Sequence, residues 1–284
     1  EIKGDTAQVY AASLGFVQTI QDHPKVFEDL LLATVVPAHY NLLATCIILD
    51  REATFFEHLD YMRRIPAFYN DNSELLQSIV KSYTTALEFQ FYTQNAQFDR
   101  TRPLLGAVMD MLEANELERI GLSMLHLELS YSLAYAYFAL EDYDTSETWV
   151  NHTLEHQKKA LREDIICLPH MLHVVNHAQM GNWQYLDYKL RSTYNFILRM
   201  KQSKRFEKTI LQFLKRLLNA RNKQEKRKLL PVYLEKLEAL YTDPAERLML
   251  KNIDVVSWMR SILQKERFIE TAAKRPAYPL NKPS

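Results

Sequence analysis

An all-α fold is what this sequence predicts, and three observations carry it. The chain has five glycines in 284 residues, where average usage would give about 20, and sheet proteins need glycine in their tight turns. Leucine, alanine, glutamate and lysine, all good helix formers, are plentiful. Long runs of helical pattern are separated by short turns. A hydrophobic content of 47% is enough for a sizeable buried surface.

The predicted helices span residues 5–21, 38–50, 51–65, 73–95, 97–114 and 118–140, then 143–156, 163–180, 182–200, 204–219, 223–241 and 244–264. Asp5, Ser73 and Asp243 suit N-caps, because a short oxygen-bearing side chain can accept a free amide of the first turn. Pro244 follows Asp243 at the first helical position, and Pro37 suits the start of 38–50 in the same way. Pro103, Pro169 and Pro231 fall within helical runs and should mark first turns or kinks. The last stretch, AAKRPAYPLNKPS, holds three prolines, so residues 265–284 are expected to be a flexible tail.

Net charge is zero but unevenly spread. Residues 50–147 carry 17 acidic and 7 basic side chains, and residues 201–228 carry 11 basic and 2 acidic. Such asymmetry points to an interaction surface. Cys46 and Cys167 lie in apolar helical stretches, where two buried thiols fit a reducing, cytoplasmic setting better than a disulfide does. The chain begins at Glu1 without methionine, which suggests a fragment or a processed product. The run Leu30–Leu49 has no charge for 20 residues and reaches membrane-spanning length. Pro37, His39 and Asn41 interrupt it, so a buried helix is the expectation and no membrane span is predicted.

The helices repeat. The turns in TQNAQFDRTRPLL, FALEDYDTSETWV and AQMGNWQYLDYKL each set an aromatic residue, Phe98, Tyr143 or Trp183, at the start of a second helix. A spacing of 45 and then 40 residues is the pitch of helix hairpins that bury their apolar faces by stacking on one another. The unit at 127–156 has Leu133, Ala134 for the glycine, Tyr137, Ser146 for the alanine, Val150 for the later aromatic and Ser130 for the leading tryptophan of the W-x2-L-G-x2-Y…A-x3-F pattern. On those residues the chain resembles the tetratricopeptide-repeat superfamily. The motif covers mainly 127–200, and the hairpin rhythm covers about 34–241. The stretch from Gly181 to Leu218 also resembles segments of bacterial tetratricopeptide-like proteins that have no assigned reaction.

The resemblance implies an α-solenoid of antiparallel helix hairpins, a right-handed superhelix. The expected organisation is one domain over 1–264, with repeats at 73–114, 118–156, 163–200 and 204–241 and a capping helix at 244–264. It also implies a non-enzymatic scaffold that holds a peptide or helix of a partner protein in its concave groove. Tyr131, Tyr135 and Phe138 are the candidate groove contacts, with packing between neighbouring helices as their other reading.

Two further stretches compete for a role. In PHMLHVVNHAQMGNW, His170, His173 and His177 fall within about 60° of one helical face. His152 and His156 sit one turn apart on the preceding helix, so five imidazoles could approach one another. Zinc binding is the sharper reading. Against it, no carboxylate stands between the histidines, and His170 lies about 10.5 Å from His177 along the axis. In the repeat register, with Trp183 on Tyr143, the three occupy the packing positions of Ser130, Leu133 and Tyr137. Packing is therefore the expectation, with no metal and no cofactor.

The second stretch is basic. Lys204, Arg205, Lys208, Lys215 and Arg216 are candidate contacts for an anionic partner or nucleic acid, the alternative to peptide binding. Phe206, Ile210, Phe213, Leu214 and Leu217 form an apolar stripe on the same helix and read as core. Glu141, Asp142 and Asp144 read as helix-start caps. No phosphate-cradling glycine loop or paired CxxC occurs, which excludes backbone-lined nucleotide sites and cysteine-type zinc sites.

Overall fold

The computed structural model describes residues 6–156, 163–200 and 204–275. Among the described residues there is no strand, so the fold is all-α. The chain's described residues divide into two compact units, one within 6–95 and 106–122, the other within 96–105 and 123–275.

The first unit opens with α1 (Thr6–Asp22), α2 (Val36–Leu49), α3 (Glu52–Phe68) and α4 (Glu74–Gln94). Ser73 caps α4 as predicted, its hydroxyl accepting the amide of Leu76, and the Asp5 cap lies outside the described residues. Next comes α5 (Phe98–Thr101), which belongs to the second unit, and then α6 (Leu105–Glu113) and α7 (Glu116–Arg119). The repeat read over 73–114 is thus divided between the two units. The uncharged run has a helical span over Glu28–Leu49 that is long and apolar enough to cross a membrane, and 56% of its most apolar window is buried. Leu42, Leu43 and Cys46 have no exposed surface and pack with Val17, Phe55, Leu59 and Phe91. The rings of Phe55 and Phe91 stack at 4.4 Å.

The second unit continues with α8 (Ser123–Ala139), α9 (Tyr143–His156), α10 (Glu163–Met180), α11 (Trp183–Arg199), α12 (Arg205–Asn219) and α13 (Lys223–Glu238). Each packs on the next, and residues 157–162 between α9 and α10 lie outside the described residues. Helix α8 also touches α10. The predicted helix 244–264 is two helices, α14 (Pro244–Asn252) and α15 (Val255–Gln264). Asp254 breaks it, because its carboxylate accepts the amide of Ser257 and starts a new helix.

The turns before α9 and α11 are alike. Glu141 and Gly181 both have left-handed backbone, φ 67° and 75°. The amides of Glu141 and Asp142 donate to the carbonyls of Phe138 and Tyr137, and those of Gly181 and Asn182 to Ala178 and His177. Register and geometry therefore agree over the 40-residue offset seen in the sequence. Ala96 stands at the same place before Phe98, with φ 55°. Left-handed backbone strains a residue with a Cβ. Ala96→Gly should therefore raise stability by about 1 kcal/mol in urea unfolding, and a destabilised variant would show that the turn is not strained.

The start of the expected tail is ordered structure. Helix α16 (Phe268–Ala273) is part of the second unit, with Phe268 buried among Phe98, Tyr135 and Phe138. Residues 276–284 lie outside the described residues.

Candidate functional site

The histidines of α10 do not act as one face. His170 leaves the group and packs its ring on Phe196 at 4.1 Å, where burial pushes its pKa down to about 4. His152 and His156 pair with each other and with His126 of α8, with ring centroids 4.3 to 5.9 Å apart. That leaves His173 and His177, one turn apart on α10 and both buried.

Between these two stands a carboxylate that the sequence around them does not contain. Glu147 of α9 places Oε1 2.8 Å from Nδ1 of His173 and 3.3 Å from Nε2 of His177. Both nitrogens are buried and lack a linear hydrogen-bond partner, so these contacts are short but off the axis of an N–H bond. Burial alone would raise the Glu147 carboxyl. The two imidazoles beside it outweigh burial and bring the pKa down to about 2.

A second ring of polar groups holds the first. Asn176, between the two histidines, donates from its amide to Oε2 of Glu147 at 3.1 Å and to the carbonyl of Tyr143 at 3.0 Å. The hydroxyl of Tyr185 on α11 lies 3.5 Å from Nε2 of His173. The side chain of Asn182 lies 3.3 Å from Nδ1 of His177. Because Asn182 sits in the left-handed turn whose amide bonds the His177 carbonyl, the turn itself sets this partner. Each ring nitrogen of both histidines therefore has a polar group within 3.5 Å.

The predicted groove aromatics lie inside the second unit. Tyr131, Tyr135 and Phe138 are buried. The hydroxyl of Tyr131 donates to the carbonyl of Asn252, and that of Tyr135 accepts the amide of Asp254. Of their two readings, packing between helices is the one this burial fits. They are the floor on which the C-terminal helices of the same unit sit, because large rings next to chain that follows them in space lose less by being covered than by facing water.

The basic candidates fare differently. Arg205, Lys208, Lys215 and Arg216 are exposed and lie within about 100° of one face of α12. None has a carboxylate partner among the described residues. Lys204 is only half-exposed, since it precedes the helix, and its amide donates to Glu207. Phe206, Ile210, Phe213 and Leu214 are buried on the opposite face as predicted, and Leu217 is half-buried. Buried Glu246 of α14 accepts the amides of Arg205 and Phe206 with its two oxygens, satisfying two helix-start donors.

The sequence reading missed the surface of α11. Trp183, Tyr185, Tyr188, Tyr194 and Leu198 are all exposed there. The signal was present in the amphipathic spacing of WQYLDYKLRSTYNFIL, whose buried positions, Leu186, Leu190, Thr193 and Ile197, form one stripe with Tyr188 opposite it and the other exposed residues beside it. Comparison with protein-family models, with curated proteins and with solved structures finds no match to this chain.

Proposed function

We propose that this chain is a non-enzymatic protein–protein interaction scaffold, a stack of tetratricopeptide-like helix hairpins that binds a peptide or helix of a partner. The stacking reading is supported by the shared turn geometry before α9 and α11 and by the contact of α8 with both α9 and α10. The observation that carries the binding reading is the exposed aromatic surface of α11. Large rings in water gain most by being covered, and they offer rigid contact area at low entropic cost.

The test is partner capture from the native organism on the immobilised chain, compared with Tyr188→Ser/Leu198→Ser. The wild type should retain a protein that the double variant loses while keeping its melting temperature. Equal capture by both would remove α11 from the interface and this reading with it.

A second reading, binding of nucleic acid or another anionic partner, is favoured by the exposed basic stripe of α12. Single-stranded oligonucleotide binding followed by anisotropy should then weaken with a log–log salt slope of about −3 for four phosphate contacts. Lys208→Glu/Lys215→Glu/Arg216→Glu should abolish it. A flat salt dependence rules this reading out.

A further inference from the structure

We propose that Glu147, His173 and His177 form a binding site for a divalent transition metal of the zinc type. Nδ1 of His173, Nε2 of His177 and a carboxylate oxygen of Glu147 would be its three protein ligands. This stands apart from the scaffold reading and does not depend on it.

The donor set comes first. Two imidazoles and one carboxylate suit zinc and its first-row neighbours, whereas calcium and magnesium take oxygen ligands. The three ligand atoms already lie within 4.8 Å of one another. Around an ion with bonds of about 2.0–2.1 Å, tetrahedral ligands stand about 3.3 Å apart, which is the distance from His177 Nε2 to the carboxylate. His173 Nδ1 sits closer to that oxygen, at 2.8 Å, and the three atoms span no more than 4.8 Å, so rotations of the carboxylate and of the two rings would close them around an ion.

The second observation is the orientation of the donors. His173 Nδ1 and His177 Nε2 lie within 3.3 Å of the carboxylate, yet neither makes a linear hydrogen bond with it. A buried ring nitrogen without a linear partner costs stability unless something else satisfies it, and a metal ion would satisfy both at once.

The third is the outer ring. Metal-bound histidines ordinarily hold their other nitrogen with a polar group, which fixes ring orientation. His173 has the Tyr185 hydroxyl there and His177 the Asn182 amide, whose oxygen faces the ring N–H after an amide flip. Asn176 steadies the second oxygen of Glu147. Three helices thus contribute: α9 the carboxylate, α10 the imidazoles, and α11 with its preceding turn the outer partners. Glu147 keeps some solvent exposure, the side from which an ion and its water would reach the site.

The experiment uses tag-free protein, dialysed against a chelator and titrated with Zn²⁺ alone. One equivalent should bind per chain, and the melting temperature should rise with free Zn²⁺. Glu147→Gln and His177→Gln should each weaken binding by at least about 100-fold, and Asn182→Ala by about tenfold. The exposed His23→Gln should bind as the wild type does.

Imidazole nitrogen NMR on the wild type keeps the test independent of whether these variants fold. Zn²⁺ should shift two of the nine histidines, one through Nδ1 and the other through Nε2. Absence of stoichiometric binding overturns the proposal. So does wild-type affinity in Glu147→Gln, or a Zn²⁺ shift confined to His126, His152 and His156.

Discussion

Phe268→Ala is expected to destabilise the second unit by about 3–5 kcal/mol, the usual cost of removing a buried phenyl ring. Phe268 is 4% exposed, with its ring 5.6 Å from Phe138, 6.0 Å from Phe98 and 6.3 Å from Tyr135. Truncation to alanine leaves a void edged by three aromatic rings that cannot collapse without moving α8. Trp149, Trp183 and Trp258 all lie in the second unit, so urea unfolding followed by tryptophan fluorescence reads it selectively. A loss below about 1 kcal/mol would mean that α16 is not seated on α8, and the sequence expectation of a flexible tail from residue 265 would return.

The second large effect is acid destabilisation of the first unit through His39. Its imidazole has no exposed surface, stacks on Tyr61 at 4.9 Å and bonds the Val35 carbonyl through Nδ1. Burial pushes its pKa down to about 4, with nearby His58 adding to this and the Val35 bond opposing it. The unfolded chain, with an ordinary value near 6.5, takes up a proton first. The stability contribution is therefore complete above pH ~6.5, falls as pH drops toward ~4, and levels off below that, a loss of about 3 kcal/mol. NMR titration of the wild type should put the His39 midpoint near 4. His39→Asn, which keeps an amide nitrogen near the Nδ1 position, should flatten the fall in urea stability across that window. A midpoint near 6.5 would contradict the burial argument.

Local features were legible from the chain alone. Helix periodicity, the caps at Ser73 and Asp243, and the apolar stripe of α12 all recur in the structure. They depend on residues within a turn or two of each other, where backbone geometry leaves few choices. The 40-residue register between Tyr143 and Trp183 was also legible, because both turns place a left-handed residue two positions before the aromatic. The break at Asp254 was open to the same reasoning but lay hidden in a continuous apolar pattern.

What the sequence determined by itself is the all-α fold, most helix ends and the repeat of one turn, since these follow from backbone sterics and short-range spacing. Only the tertiary structure decided which groups meet across helices. It brought Glu147 to His173 and His177, sent His170 to Phe196 and paired His152 and His156 with His126. It also covered Tyr131, Tyr135 and Phe138 with chain from far downstream. The physical reason is common to all of these. A helix pattern shows which side chains share a face, but the partner of that face is set by how neighbouring helices pack, and long-range packing leaves no periodic signal in the sequence.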